Sequence, residues 1–511
     1  MSGDGRRRFP DPNGLHACFD AVLREAPGAE AVVDGELRLT FGAWWRRSGI
    51  AAAALSGLGV RAGDVVCLVL PSSADFAVCY VAAMRLNAIV TAANPRLGPD
   101  EIAHIIGRTS PAVIVTDAPG SLPPAGAAAV RSPAELLEGG AEMAGAAPSS
   151  PADPAVIVWT TGTTGRPKGA WFDHRSLQIM AREMGPLSRP GDRKLMPVPF
   201  AHAAFMTRVH DQLIHRSALV LTPREWTARG MLDLLVRERV TVGQGVPTQW
   251  EKLVALEELA GADLSRLRLV STGAGRVPPS LVRAMRERLG CPVVVRYAST
   301  EVPLCFGTDL DDPVELVAST VGRALGGVRA EIRAGDGTRL GPGVTGRVYL
   351  RSRGSMRGYW REPGPTAETM APDGWIASSD LGSLDAAGNL TIVGRADDAY
   401  IRGGYNVHPS EVEPVLLAHP RIQRATVVGA PAPVIGELGV AFAVPAGAGP
   451  PPETAEIRAW CRGRIADYKA PDIVVWLDDL PVNATYKIDR TELRRRAEDA
   501  VARQRRPHPR D

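Results

Sequence analysis

Along most of this chain, short runs of β-branched and aliphatic residues alternate with longer alanine- and charge-rich stretches. Asp64-Val65-Val66-Cys67-Leu68-Val69-Leu70 is apolar after its first residue and stops at Pro71, as a strand buried on both faces does. Ala112-Val113-Ile114-Val115-Thr116 and Ala155-Val156-Ile157-Val158-Trp159 repeat that pattern. Thr40 to Leu58, ending at Gly59, and Ser73 to Leu86 read as helices around the first of these strands. Later strands are expected at Leu267 to Val270 and Val293 to Arg296, with a strand and turn from Val240 to Thr248. Strands that alternate with helices predict parallel β-α-β units. Residues 118 to 154 are rich in Ala, Pro, Gly and Ser and predict a loop or linker. Near the C-terminus, strands at Ile422 to Gly429, Val440 to Val444 and Ile473 to Leu477 surround a helix from Ala455 to Ile465, which predicts a small α+β domain. The charged stretch from Arg494 onward predicts a helix end and a disordered basic tail.

At 511 residues the chain can hold two or three domains with substantial cores. A formal charge of +3 gives no support to a nucleic-acid or membrane-surface role. Charged or loop residues interrupt every apolar stretch before the ~18 residues a membrane span requires. Met1 to Pro12 is polar and basic without an apolar centre, so no secretory signal is expected there. The six cysteines show no Cys-x-x-Cys spacing, which suits reduced, buried thiols in the cytoplasm.

The densest chemistry is Thr160-Thr161-Gly162-Thr163-Thr164-Gly165-Arg166-Pro167-Lys168-Gly169, directly after a strand. Glycines let successive backbone N–H groups converge on one anion, and threonines add hydroxyl donors. Lys168 supplies a full charge suited to phosphate. The ordinary P-loop, counted from Gly162, would place Gly-Lys at 167–168 and then Ser or Thr; here the chain has Pro167-Lys168-Gly169. The stretch instead resembles the phosphate-binding loop of the adenylate-forming superfamily, which includes the acyl- and aryl-CoA ligases. Leu39-Thr40-Phe41 and Asn94-Pro95-Arg96-Leu97 are also similar to that superfamily's N-terminal region.

Other stretches extend the resemblance in the superfamily's order, from about residue 35 to 495. In Pro197-Val198-Pro199-Phe200-Ala201-His202-Ala203, His202 matches the residue that borders the carboxylate pocket. By itself a histidine there reads as a satisfied buried imidazole. Arg208, His210 and Asp211 just beyond it read as a solvated helix face or as the mark of a polar substrate. Gly273, Ala274 and Gly275 end a strand with residues small enough for a planar base to lie on backbone. In Tyr297-Ala298-Ser299-Thr300-Glu301 an aromatic can stack on adenine, a hydroxyl can bond the α-phosphate and a carboxylate can hold Mg²⁺. Ala298 stands where the superfamily usually has Gly. Asp380 matches the aspartate that grips the ribose hydroxyls, preceded by Ser378-Ser379 rather than Thr-Gly. Arg395 matches a second ribose ligand, Asp397 the interdomain hinge, and Gly403-Gly404 the lining of the pantetheine tunnel. Lys487 matches the lysine that bonds the substrate carboxylate and the α-phosphate, with Tyr486 where many relatives have Gly.

The resemblance implies an α/β architecture. A large N-terminal domain, 13–396, would hold two α/β subdomains and a β-barrel; a small mobile α+β lid domain, 397–495, would carry the lysine; a basic tail, 496–511, would follow. The implied catalytic residues are Lys487, Glu301, Thr300 and His202, with Glu301 on the metal. The implied nucleotide ligands are Thr160 to Gly165, Lys168, Gly273 to Gly275, Tyr297 to Thr300, Asp380, Arg395 and Lys487. The implied reaction uses ATP, Mg²⁺ and coenzyme A. A carboxylate attacks the α-phosphate to give an acyl-adenylate and pyrophosphate, and a thiol then displaces AMP. Three alternatives stay open: an adenylation enzyme that loads a carrier protein in trans, an enzyme of one half-reaction, and a nucleotide-binding protein without catalysis. Ala298, Ser379 and Tyr486 motivate the second. A monomer or homodimer acting on a small carboxylic acid is expected, without nucleic acid or membrane span.

Overall fold

The structure, a computed structural model, describes residues 14–160, 166–275, 277–447, 449–483 and 486–504. The chain divides into two compact units, the first made of the residues up to Ala330 together with Leu350–Ile376, the second of Glu331–Tyr349 and the residues from Ala377.

The first unit contains two large sheets. One runs, edge to edge, Gly358–Tyr359, Lys168–Asp173, Pro154–Thr160, Ile89–Ala92, Val65–Val69, Val113–Thr116, Ala129–Arg131. Its centre is parallel, as the β-α-β reading predicts. Val65–Val69 is buried at every position, and the helix Ala74–Arg85 that follows is buried at every position except Asp75. Ser73 starts that helix by accepting a hydrogen bond from the Phe76 N–H at 3.1 Å. The stretch expected to be a linker holds structure of its own. Ala129–Arg131 adds a parallel edge strand beside Val113–Thr116, and Ser132 and Glu135 form a capping box for a short helix, Pro133–Leu137.

The second sheet runs Arg323–Ala324, Phe306–Gly307, Val293–Tyr297, Leu269–Gly273, Val242–Gly245, Arg193–Met196, Ala218–Leu221, Glu30–Asp34, Leu37–Thr40. Val242–Gly245, Leu269–Gly273 and Val293–Tyr297 are parallel, so their carboxyl ends lie side by side. Gly273 pairs there with Arg296, and Tyr297 is the next residue. Ligands of open α/β sheets bind at such carboxyl ends.

Mostly within the second unit, the part expected to be a β-barrel is a four-stranded sheet of Arg329–Arg333, Gly346–Arg351, Ile376–Leu384 and Leu390–Arg395. A five-stranded sheet follows, built on the long hairpin Ile422–Ala432 and Gly436–Pro445, with Ile473–Trp476 added in parallel. Compactness groups the four-stranded sheet with this C-terminal sheet. The expected helix end is a helix from Arg490 to Gln504 that runs into the expected tail, whose residues 505–511 lie outside the described residues. Leu493, Ala497 and Val501 recur every fourth residue and pack with Val428, Val440 and Phe442, and this thin apolar stripe holds the otherwise charged helix on the sheet. All six cysteines are buried and none forms a disulfide; burial pushes the Cys67 thiol up to about 12, which suits inert packing groups. Among the described residues no helix is long and apolar enough to cross a membrane.

Candidate active site

Strand Pro154–Thr160 returns antiparallel as Lys168–Asp173, with Thr160 paired to Lys168. The hydroxyl- and glycine-rich stretch therefore connects two paired strands whose facing ends are held in register. Thr161, Gly162, Thr163, Thr164 and Gly165 themselves lie outside the described residues. The Lys168 ammonium lies over the Tyr359 ring, 4.7 Å from its centroid. The Tyr359 hydroxyl donates to Glu301 Oε1 at 2.7 Å. Burial and the Glu301 carboxylate together push the Tyr359 phenol well above its usual range, so it stays a donor. A cation and a carboxylate 133 positions apart in sequence are thus joined by one tyrosine at the edge of the sheet. Tyr359 is absent from the sequence reading. Gly358-Tyr359-Trp360 is too short an apolar run to stand out, although Gly358 adopts a φ of +144° and prepares the turn into it.

The Glu301 backbone is also fixed. Ser299 and Val302 exchange two hydrogen bonds, Ser299 N–H to the Val302 carbonyl at 3.2 Å and Val302 N–H to Ser299 Oγ at 3.1 Å. This tight turn presents Thr300 and Glu301 just past the strand that ends in Tyr297. Tyr297 is half-buried and Ala298 exposed. On the neighbouring strand Gly273 admits no side chain, since a Cβ would meet the Arg296 carbonyl oxygen at 2.1 Å. Ala274 beside it sits at φ +61°. His202 caps the helix Ala203–Met206, its Nδ1 accepting from the Ala204 N–H at 3.2 Å. That bond places the proton of the neutral ring on Nε2.

The solvated-face reading of the next segment does not hold. His210 and Asp211 are buried, and Arg208 is half-buried. Asp211 binds the Lys194 ammonium at 2.7 Å and His215 Nδ1 at 2.9 Å, and the Lys194 charge with the hydrogen bond from His215 keeps its carboxyl far below the usual range despite burial.

Within the second unit, Asp380 and Arg395 are opposite each other on paired antiparallel strands. Ser378, one of the two serines replacing Thr-Gly, accepts from the Asp380 N–H at 3.1 Å and donates to the Val348 carbonyl at 2.9 Å, which anchors the aspartate. Lys487 lies in the field of both residues. Burial draws its ammonium below the ordinary lysine value of 10.5, Arg395 draws it further, and Asp380 acts against them. The three residues expected to face the ribose and the reacting carboxylate therefore share one neighbourhood, although nearly a hundred positions separate Lys487 from Arg395.

The lysine sits in a small hairpin turn. Val482 pairs with Ile488, Asn483 N–H donates to the Lys487 carbonyl at 2.7 Å, Asn483 Oδ1 accepts from the Lys487 N–H at 3.2 Å, and Tyr486 N–H donates to the Asn483 carbonyl at 2.9 Å. Closing this turn puts Tyr486 at φ +60°, the left-handed region where glycine is the usual occupant. The turn thus requires the dihedral rather than the tyrosine. Tyr486→Gly is expected to keep ATP–pyrophosphate exchange within a few-fold of the parent, while β-branched Tyr486→Val loses most of it. Equal activities of the two variants would rule this account out.

Gly403 and Gly404, at φ +57° and +84°, turn the chain between Tyr400–Arg402 and Tyr405–Val407, and a Cβ on Gly404 would meet nothing within 4 Å. Asp397 lies in a single 3₁₀ turn, Ala396–Asp398, its carboxylate 3.6 Å from Arg395, while Asp398 is ion-paired with Arg490 and Arg494.

The residues fit the expected co-substrates and metal. Among the described residues no cluster of three or more His, Cys, Asp or Glu could hold a metal ion. A single held carboxylate such as Glu301 suits Mg²⁺ that arrives on a polyphosphate, because Mg²⁺ keeps most of its water and takes one or two protein carboxylates. The open Gly403-Gly404 turn leaves room for a thin chain such as pantetheine.

The AMP-binding enzyme profile matches residues 19–360, and that of the AMP-binding enzyme C-terminal domain matches residues 411–487. The chain belongs to the AMP-binding enzyme family. A feruloyl-CoA synthase of an Amycolatopsis species is 31% identical over 484 residues, covering 93% of this chain and 97% of the relative. The long-chain-fatty-acid–CoA ligase FadD13 of Mycobacterium tuberculosis is 30% identical, covering 92% and 95%. The ATP-bound crystal structure of MatB from Rhodopseudomonas palustris superposes with a TM-score of 0.84 at 26% identity, over 95% of this chain and 99% of that one. The two-domain adenylate-forming fold and the class of AMP-forming acid–thiol ligase, with ATP, Mg²⁺ and coenzyme A as reactants and cofactor, follow for this member.

Proposed function

We propose that this family member acts in the cytoplasm on a small carboxylic acid and completes both half-reactions, with coenzyme A as the acceptor thiol. In the first, the substrate carboxylate attacks the α-phosphorus of ATP and pyrophosphate leaves. In the second, the thiol sulfur attacks the acyl carbon, loses its proton and releases AMP. The barrier in the first step is charge repulsion between a carboxylate and a triphosphate. Lys168 and Lys487 offset it with positive charge, and bound Mg²⁺ supplies further charge neutralisation. Glu301 holds the metal; Tyr359 orients that carboxylate by its 2.7 Å hydrogen bond and so acts as a positioning residue. Asp380 and Arg395 hold the ribose, Tyr297 stacks on adenine, and His202 borders the reacting carboxylate. The observation that supports this most is the shared neighbourhood of Lys487, Arg395 and Asp380.

ATP–pyrophosphate exchange across a panel of acids, with and without coenzyme A, tests the proposal. Exchange without coenzyme A and thioester formation with it are expected. Exchange with thioester formed only on a carrier protein would assign the acceptor differently. A folded Glu301→Gln variant is expected to need more Mg²⁺ for half-maximal exchange and to turn over at least tenfold more slowly, because an amide keeps the shape but not the charge a hard cation prefers. Wild-type activity across the Mg²⁺ titration would remove Glu301 from the metal. Tyr359→Phe should show a milder shift in the same direction.

A further inference from the structure

Two arginines of the first unit, Arg296 and Arg208, have no acidic hydrogen-bond partner among the described residues. Arg296, the residue before Tyr297, sends its side chain out between two glycine positions, since it pairs with Gly273 on one side and Gly307 on the other. Gly307 clears the space: a Cβ there would lie 1.5 Å from Arg296 Nη1. Nη1 donates to the Thr308 carbonyl at 2.9 Å, but Nε and Nη2 are buried with no hydrogen-bond partner. Burial, with Arg208 adding to it and Asp309 opposing, lowers this guanidinium to about 10. Arg208, on the segment that follows the His202-capped helix, touches only neutral groups, the Pro303 carbonyl and the Met184 sulfur. Among the described residues neither guanidinium makes an ion pair; Asp309 and Asp211 act on them only from farther away. Pro303 is two residues beyond Glu301, so the pair bridges the segments assigned to the reacting carboxylate and to the metal.

Two like charges in a partly dry site with unfilled donors are costly unless an anion joins them. A guanidinium with two vacant N–H groups has the fork geometry of a carboxylate receptor. We propose that the acid substrate carries a second carboxylate, and that Arg296, supported by Arg208, receives it while the first is adenylated. This rests on the functional reading above and names its substrate class: a dicarboxylic acid.

The test measures AMP release with Mg-ATP and coenzyme A for linear dicarboxylic acids of graded length and for aromatic dicarboxylic acids. Each is paired with the monocarboxylic acid in which a methyl or hydrogen replaces the distal carboxylate. At least one dicarboxylic acid should exceed its partner in kcat/KM by on the order of 10²-fold, the scale expected of a desolvated charge pair. Arg296→Met should remove that preference while leaving monocarboxylic turnover in place. Arg208→Gln should reduce it, and serves if Arg296→Met fails to fold. Uniform preference for monocarboxylic acids, or an unchanged ratio in both variants, overturns the proposal and leaves the ligase reading standing. AMP release from no acid at all overturns both.

Discussion

Lys487→Ala is expected to lower ATP–pyrophosphate exchange by on the order of 10²–10³-fold or more, while thioester formation from a supplied acyl-adenylate changes little. The asymmetry follows from the charge balance. While the carboxylate approaches phosphorus, two anions are forced together, and the ammonium offsets that repulsion. Once the adenylate exists, thiol attack no longer brings a carboxylate against a triphosphate. Lys487 must also be charged to act. Its proton is held less tightly than an ordinary lysine's because of burial and Arg395, so the ammonium is lost at a lower pH than an ordinary lysine's as pH rises. The kcat/KM for ATP in the wild type should therefore fall on an alkaline limb that begins below lysine's ordinary 10.5. Asp380 opposes the lowering, so Asp380→Asn should move that limb to lower pH as well as weaken nucleotide binding. Equal loss of both half-reactions in Lys487→Ala would take the lysine out of the adenylation step.

Asp397→Pro is expected to leave exchange largely intact and to slow thioester formation at least tenfold in single-turnover measurements. Asp397 stands between Arg395, expected on the ribose, and the Gly403-Gly404 turn, expected on pantetheine. If one segment serves the first step and the other the second, the chain must swing between them, and a few dihedrals at an element boundary absorb such motion. The 3₁₀ turn Ala396–Asp398 is such a boundary. The φ of about −50 to −70° usual in 3₁₀ turns matches proline's −65°, so the substitution should fold in this arrangement and resist leaving it. A wild-type thioester rate in the folded variant would put the hinge elsewhere.

Much of this molecule is written locally. Val65–Val69, Val113–Thr116 and Pro154–Thr160 are strands where uninterrupted apolar runs predict them, and Thr40 and Ser73 begin helices where a hydroxyl precedes an apolar period. The reaction class was legible for a related reason. Loops that meet phosphate, ribose and a reacting carboxylate need particular residue types in short contiguous stretches, and those stretches survive in order from Thr160 to Lys487. Where local signal is thin, the reading fell short. Three apolar residues spaced by four inside Arg490–Gln504 were outweighed by charge, and Ala129–Arg131 is too short to register as a strand.

The family and the order of elements are therefore legible along the chain, as is the set of residues expected at each chemical task. Which side chains meet was decided only by tertiary structure. Tyr359 reaches Glu301 because strand Gly358–Tyr359 adds to the edge beside Lys168–Asp173. Lys487 feels Asp380 and Arg395 through the packing of the second unit, and Arg296 gains its vacant, buried N–H groups from glycines on two other strands. Sheet register sets the Tyr359 and Arg296 meetings, and register depends on pairing partners far away in the chain rather than on neighbours along it.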